Sequence, residues 1–247
     1  MNILMLAAGA ADFDPHDGSY PLCLAEFEGK PLIERTIAAC SKLEGAHLIV
    51  AVRESDVRQF HLDNIVSILD PEAKIISIKA NTQGAACTAL LATGHIDNDE
   101  SLLIINANEL LAADFSTIVS DFKQRHLDAG VVTFPSVHPR YSYVRLSEEG
   151  LVVEAAEKNP LSRHATVGFY WFARGKDFVS AAQNLIRKDA SVNGLFYICP
   201  TLNELVLKQA VIGTYPIDAK LYHPLKTERQ LAQFEAAIDN RTHYENR

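Results

Sequence analysis

The loop between Gly9 and Gly29 has the position of a phosphate-binding loop, but its charged side chains are acidic and none is basic. It follows a short apolar run, Asn2–Leu6, and precedes a helical pattern that begins near Pro31. A strand, a glycine-containing loop and a helix in this order form the usual phosphate-facing unit of α/β proteins. The loop contains no lysine or arginine, and its acidic residues are Asp12, Asp14, Asp17, Glu26 and Glu28. The sequence therefore predicts a loop that would repel a phosphate group rather than neutralise it.

The elements that must position this loop alternate along the rest of the chain. Strand patterns occupy 46–52, 74–79, 101–106, 130–135, 166–172 and, as the last strand, 211–217, and helical patterns occupy 55–69, the segment from Thr82, 115–127, the segment around 178–186 and 228–238. Turn residues Glu148-Glu149-Gly150 between strand patterns 141–147 and 151–155 predict an inserted hairpin. We therefore expect an α/β fold, a Rossmann-like three-layer α/β/α sandwich whose sheet is mixed and mostly parallel.

Several short strings occur in one order along the chain. They read LAAG at 6–9, GKPLIE at 29–34, TQGAACTALL at 82–91, ATVGFY at 165–170 and NGLFY at 193–197. Each string is a weak signal by itself, and their order and spacing together are more specific. Together they resemble the sugar-phosphate nucleotidyltransferases, or nucleotide-sugar pyrophosphorylases, over almost the whole chain. The resemblance implies a single domain of the nucleotidyltransferase (GT-A) type over 1–247, with a nucleotide-binding half in 1–130 and a sugar-phosphate half in 131–247.

The same resemblance implies which residues contact substrate. Gln83 and Gly84 fall in the segment that resembles the base-reading part of these enzymes. Lys158 resembles the lysine that they direct at the sugar phosphate. The full set of substrate-binding residues implied in this way is Ala8, Gly9, Gln83, Gly84, Asn106, Asn108, Glu157, Lys158 and Gly168.

The glycines of this set have structural alternatives. Gly9 could do no more than permit a tight turn after the first strand. Gln83 and Gly84 could act as a helix cap and a close packing contact. Gly168 could mark a β-bulge instead of a place where sugar approaches the backbone.

The polar pairs also have alternatives. Asn106 and Asn108 would lie at the carboxyl end of a strand, where ligands gather in open α/β sheets, but they could equally cap a loop. Asn203 and Glu204 lie on a short helical pattern, and a solvated polar face is the expectation for that pair.

Departures from the family pattern fall where the chemistry should be. No arginine follows Gly9 in the first loop, Leu22 stands at the position of the family's lysine, and Asn108 stands at the position of its aspartate. Near the C-terminus, residues 225–229 read LKTER in place of the family's LGTPE. Nucleotidyl transfer builds charge on phosphate oxygens, so the reaction depends on lysine, arginine and Mg²⁺. No catalytic residue and no metal ligand is therefore assigned from the sequence.

Two functions follow as hypotheses. The leading one is a catalytically degenerate relative that keeps part of a nucleotide or sugar-phosphate pocket and acts through binding, as a homodimer or beside an active paralogue. The competing one is an active nucleotidyltransferase that joins a nucleoside triphosphate to a sugar phosphate or related phosphorylated alcohol for surface-polysaccharide precursors, with Mg²⁺ as its cofactor. A basic residue outside the first loop, such as Arg140 or Arg163, would favour the active enzyme if it supplied the positive charge that the loop lacks. A sugar-transferring enzyme of related fold would need an Asp-x-Asp motif, where this chain has Asn106-Ala107-Asn108.

Composition limits the partners, the cellular location and the cysteine chemistry that the sequence predicts. The net charge of −8 argues against a nucleic-acid partner. Neither a basic leader nor an apolar stretch of membrane-spanning length is evident, which predicts a cytoplasmic protein without a membrane partner. The four cysteines, Cys23, Cys40, Cys87 and Cys199, lack metal-ligand spacing and predict reduced core thiols.

Overall fold

The structure, a computed structural model, describes residues 1–9 and 20–224. Its strands are β1 (Asn2–Leu6), β2 (Glu26–Phe27), β3 (Lys30–Pro31), β4 (His47–Arg53), β5 (Lys74–Ile78), β6 (Leu102–Asn106), β7 (Glu109–Leu111), β8 (Ala129–Pro135), β9 (Ser142–Leu146), β10 (Val152–Glu157), β11 (His164–Phe172), β12 (Ile212–Pro216) and β13 (Tyr222–Pro224). Its α-helices are α1 (Leu32–Cys40), α2 (Glu54–Phe60), α3 (Leu62–Leu69), α4 (Ala85–Leu90), α5 (Thr93–Ile96), α6 (Phe115–Gln124), α7 (Gly175–Arg187) and α8 (Thr201–Val206).

A nine-stranded sheet runs through the described part of the chain and joins strands from both predicted halves. Its main path is β10-β9-β11-β6-β1-β4-β5, and β8 pairs with β11 and β12. β1 lies parallel between β4 and β6, and β12 is parallel to β8. Only β10 and β11 run against the direction that the other strands of this sheet share. The prediction of a mixed, mostly parallel sheet is confirmed.

The two faces of this sheet are covered by different helices. Successive residues of a strand point to opposite faces, so Ile3 and Met5 pack on one side and Leu4 and Leu6 on the other. Helices α1, α3 and α6 bury their apolar stripes against the first face, and α4, α7 and α8 against the second. The predicted three-layer α/β/α arrangement is therefore confirmed.

Several predicted element boundaries were wrong. The single helix expected over 55–69 is divided into α2 and α3 at His61, whose φ of 52° interrupts the helical backbone. The helix expected from Thr82 begins at Ala85, because Gly84 has a φ of 105°. The strand at 211–217 is not the last one, since β13 follows it and pairs with β7.

The expectation of a solvated polar face at Asn203 and Glu204 was also wrong. Glu204 is only 7% exposed and accepts bonds of 2.8 and 2.9 Å from the Lys188 ammonium. The Asn203 amide bonds both the N–H and the C=O of Ala155, each at 2.8 Å. Ala155 lies on β10, the terminal strand of the sheet path, so Asn203 satisfies backbone groups that no further strand pairs.

The cysteine prediction is confirmed for the core. Cys23, Cys40 and Cys199 are buried free thiols, and Cys87 is half-buried. Burial raises the pKa of each of the three buried thiols to about 12, so they are neutral groups rather than nucleophiles.

Some predictions fall outside the described residues. These are the acidic residues Asp12, Asp14 and Asp17, the departure at 225–229 and the helix at 228–238. Among the described helices, none has the length and apolarity that crossing a membrane requires.

Candidate functional site

A cavity of about 970 Å³ opens at the carboxyl ends of the central parallel strands. Ala8 and Gly9 follow β1, Arg53 ends β4 and Asn106 ends β6, and all four line it. Parallel strands deliver their carboxyl ends to the same edge of a sheet, which is why residues so distant in sequence meet there. The size of the cavity is that of a small-molecule site.

Most of the predicted substrate-binding residues share this cavity. Those that line it are Ala8, Gly9, Gly84, Asn106, Asn108, Glu157 and Gly168. Gln83 is exposed and does not line it. Lys158 does not line it either, but its ammonium donates a 2.9 Å bond to the hydroxyl of Tyr197, which does. That bond raises the pKa of Lys158. The substrate-binding roles themselves stay predictions.

Gly84 is required by the backbone geometry beside the cavity. Its φ of 105° is one that L side chains rarely adopt, and a Cβ there would lie 2.4 Å from the carbonyl oxygen of Phe196. Phe196 is bonded on both sides of this contact, donating to the Gln83 carbonyl at 2.8 Å and accepting from the Ala86 N–H at 3.0 Å. The close packing contact considered as an alternative for Gly84 is therefore present.

Substituting Gly84→Ala should lower the free energy of unfolding by about 3 kcal/mol, because backbone strain adds to a clash with a backbone atom that cannot turn aside. Denaturant unfolding followed by circular dichroism measures this change. Gly94→Ala is the matched control: Gly94 is helical and exposed, and an added Cβ would meet nothing within 4 Å. A Gly84→Ala protein as stable as Gly94→Ala would contradict the strain assigned to this position.

Asn106, Glu109 and Gly168 form a bonded cluster at the end of β6. The Asn106 amide donates to one carboxylate oxygen of Glu109 at 3.0 Å, and the Gly168 N–H donates to the other at 2.8 Å. A Cβ on Gly168 would lie 2.2 Å from the Asn106 amide nitrogen, so glycine is needed to admit these side chains. The pairing of β11 with β8 also shifts register between Thr166 and Tyr170, as the bulge alternative for Gly168 expected.

Glu109 was missed by the sequence reasoning. The signal available was a carboxylate directly after Asn108, at the end of a predicted strand. Its partner Gly168 lies 59 residues away, a contact that local patterns do not encode. Burial, and secondarily the charge of Glu109, raises the pKa of Tyr222, which also lines the cavity.

The donor set at this strand end does not fit the Mg²⁺ that the resemblance implies for an active enzyme. Asn108 offers a neutral amide, and both carboxylate oxygens of Glu109 accept N–H bonds. Within the described ranges, no three or more His, Cys, Asp or Glu side chains are grouped so that they could hold a metal ion. Mg²⁺ in phosphate sites is usually held through one or two carboxylates, and the carboxylate at this strand end, that of Glu109, is already engaged by two N–H donors.

Basic side chains reach the cavity from outside the first loop. The sequence suggested Arg140 and Arg163 as cations that could refill the site. Arg140 lines the cavity, and Arg163 does not. Arg53 and Lys79 also line it and were not anticipated, although each stands at or just beyond the end of a predicted strand. Arg58 lines it too, but is paired with Glu54 at 2.5 Å.

Hydroxyl groups line the part of the cavity that residues 131–224 form. The Ser142 hydroxyl donates to the Glu157 carboxylate, and the hydroxyls of Thr166 and Tyr170 lie 2.9 Å apart. Burial raises the pKa of Tyr170 well above its usual value, so this hydroxyl stays protonated. The wall can therefore donate and accept hydrogen bonds, as a polyhydroxylated ligand requires.

Comparison with known proteins places this geometry in a family. The model of the family described as nucleotidyl transferase matches residues 19–197. No curated protein sequence matches the chain significantly.

Solved structures resemble the chain over nearly its whole length. A nucleoside-diphosphate-sugar pyrophosphorylase from Vibrio cholerae RC9 has a TM-score of 0.81 at 21% identity, over 96% of this chain and 100% of that one. A UDP-glucose pyrophosphorylase complexed with UDP-glucose has a TM-score of 0.74 at 16% identity, over 100% and 99%. An inositol-1-phosphate CTP transferase from T. maritima has a TM-score of 0.72 at 15% identity, over 93% and 90%. These structures share the fold, and the family match covers well over half of the sequence, so the chain belongs to the nucleotidyl transferase family.

Proposed function

We propose that this chain is a catalytically degenerate nucleotidyl transferase that binds a nucleotide or a sugar phosphate without transferring a nucleotidyl group. The observation that carries the proposal is the identity of two cavity-lining residues. Leu22 and Asn108 stand at the positions of the family's phosphate lysine and metal-binding aspartate, and both face the same cavity. The cavity is present, but Leu22 and Asn108 are neutral and cannot stabilise the charge of a transition state as a lysine and a bound metal would.

The family match covers the segments in which the proposed binding pocket would be retained. The match covers residues 19–197 and so leaves out the acidic part of the first loop and the altered segment 225–229. Leu22 and Asn108, at the positions of the phosphate lysine and the metal-binding aspartate, lie within the matched part. The matched part contains the base-reading and sugar-phosphate segments.

The charges at the nucleotide end of the cavity favour a ligand with little phosphate. The cations Arg53, Arg58 and Lys79 line that end together with the carboxyl groups of Glu54 and Asp56. Asp56 is 4% exposed, and its burial raises its pKa. Three further acidic residues, Asp12, Asp14 and Asp17, follow Gly9 in the sequence. The carboxyl groups offset most of the positive charge of these cations. The several negative charges of a triphosphate would therefore gain little net attraction there.

Calorimetry should therefore rank a nucleoside, a nucleoside monophosphate or a sugar phosphate above the corresponding triphosphate, by about tenfold in Kd or about 1.4 kcal/mol. Because the difference arises from repulsion between charges near the surface, it should shrink as salt is added. The matched control is each triphosphate beside its own monophosphate in the same buffer. A triphosphate that binds tightest, or a protein that binds none of these classes, would count against the proposal.

An active nucleotidyltransferase is the second candidate, and the cations in the cavity favour it. Arg53, Lys79 and Arg140 could neutralise phosphate in place of the residues that the first loop lacks. The products would then be precursors for surface polysaccharides. Pyrophosphate release distinguishes the two candidates. A cytoplasmic location and a homodimer or active paralogue as partner stay predictions under both.

A further inference from the structure

Arg53 is held at the entrance of the first loop by the backbone of that loop. β1 and β4 pair with Leu6 opposite Ala51, and the Ala7 N–H donates to the Ala51 carbonyl at 2.9 Å, so Arg53 reaches past the end of β1. Its Nε donates to the Ala8 carbonyl at 3.3 Å, and one terminal nitrogen donates to the Gly9 carbonyl. These two bonds fix the guanidinium where the cavity meets the loop.

This guanidinium keeps donors and charge available for a ligand. A guanidinium has five N–H donors, and two of its nitrogens are engaged by backbone carbonyls. Within residues 1–9 and 20–224, Arg53 forms no ion pair. The nearby Asp56 carboxylate accepts a 3.1 Å bond from the Ser55 hydroxyl, and it interacts with Arg53 only through charge, which lowers the pKa of Asp56 against the larger effect of burial. A half-buried cation that forms no ion pair with a described residue is well suited to an anion that enters the cavity.

Lys79 adds a second charge beside Arg53. β4 and β5 pair with Arg53 opposite Ile78, so Lys79 is the next residue beyond that pair. Lys79 is exposed, lines the same cavity and forms no ion pair with a described residue. Arg140, by contrast, packs over the Tyr141 ring at 4.7 Å and bonds its hydroxyl.

We propose that Arg53 is the phosphate-binding cation of this cavity, with Lys79 as its second, and that together they take over the role that the first loop has lost. This inference rests on the proposed function, since it names the residues that recognise the phosphate of the proposed ligand. The ligand class is a phosphate monoester. A planar guanidinium can bind such a group through two parallel hydrogen bonds, and the lysine adds charge without fixed geometry.

The experiment compares phosphorylated and unphosphorylated members of matched pairs by calorimetry. The pairs are each of the five common nucleosides with its 5′-monophosphate, and glucose with glucose 1-phosphate. In the wild-type protein, the phosphorylated member of the pair that binds should be about tenfold tighter. Arg53→Gln should lower this ratio to about three, the share that Lys79 still supplies, while the unphosphorylated member binds as before. Lys79→Gln should lower the ratio by about threefold.

Two further variants separate charge from disturbance of the loop. Arg53→Lys keeps the charge but lacks the planar guanidinium that can form two parallel hydrogen bonds to phosphate, so it should retain part of the phosphate preference. Arg145→Gln is the matched control, because Arg145 is exposed, pairs with Glu154 and does not line the cavity. It should leave the ratio unchanged.

The outcomes distinguish this inference from the proposed function. If Arg53→Gln keeps the wild-type ratio, or loses both members of a pair equally, the assignment to Arg53 is wrong and the proposed function stands. If the wild-type protein binds the phosphorylated and the unphosphorylated ligand of a pair equally, the assignment to Arg53 is likewise wrong and the proposed function stands. If the wild-type protein binds no member of any pair, the proposed function fails and this inference fails with it.

Discussion

Purified protein incubated with Mg²⁺, each nucleoside triphosphate and a panel of sugar 1-phosphates should release pyrophosphate at a rate far below that of an ordinary enzyme, by up to about a million-fold. By the family resemblance, the loop arginine is absent, and Leu22 and Asn108 correspond to the lysine and the metal-binding aspartate. Removal of one preorganised donor costs about 3 kcal/mol of barrier, so three independent losses approach about 9 kcal/mol, or about a million-fold in rate. Because such losses are seldom additive, this sum is an upper value.

A coupled assay for pyrophosphate measures this rate. An active nucleotidyl transferase in the same reaction mixture is the positive control for every triphosphate. The heat-denatured protein gives the background that any release has to exceed. Turnover near 1 per second, which is ordinary for an enzyme, would overturn the degenerate function and establish the second candidate.

Restoring the cation and the metal ligand together should create Mg²⁺-dependent triphosphate binding. Leu22 lies on a single 3-10 turn, Leu22–Leu24, and is half-buried against the cavity, while Asn108 lies in the turn between β6 and β7. In the double variant Leu22→Lys with Asn108→Asp, the lysine would neutralise phosphate and the aspartate would help to hold Mg²⁺. Either change alone should do little, since a lysine without metal leaves most of the phosphate charge unmatched, and an aspartate without the lysine adds repulsion.

Calorimetry with a triphosphate, in Mg²⁺ and again in a chelator, tests this gain. The matched control pairs Leu24→Lys with Asn108→Asp, because Leu24 lies on the same 3-10 turn but does not line the cavity. Thermal unfolding shows whether each variant is folded. A folded double variant that gains no Mg²⁺-dependent binding would mean that the pocket is remodelled beyond these positions. The correspondence assigned to Leu22 and Asn108 would then be wrong.

Local periodicity was enough to predict the layers of this fold. Alternating strand and helix patterns are set by which side chains are apolar, and burial of those side chains then decides the α/β/α arrangement. The boundaries failed where a single backbone conformation overrides the pattern. His61 and Gly84 both adopt positive φ and shift helix ends, and neither conformation can be read from hydrophobic spacing.

The contacts of Glu204 and Asn203 show a second limit. On a short helical pattern, two polar residues are expected to face water, because isolated polar side chains lose hydration when buried. The cost is offset here by Lys188 and by the backbone of Ala155, partners supplied by other elements. No property of the helix itself indicates that those partners will be present.

The sequence by itself determined which residue types stand in the first loop and at the positions of the family's lysine and aspartate. The acidic first loop, Leu22 and Asn108 are visible without coordinates, because residue types are read directly from the sequence. Only the tertiary structure decided which side chains replace what the loop lacks. Arg53 meets the carbonyls of Ala8 and Gly9, more than 40 residues away, because parallel β4 ends beside β1. Strand order depends on the packing of the whole sheet, so the cation and the loop it serves are brought together by a pairing that no local pattern encodes.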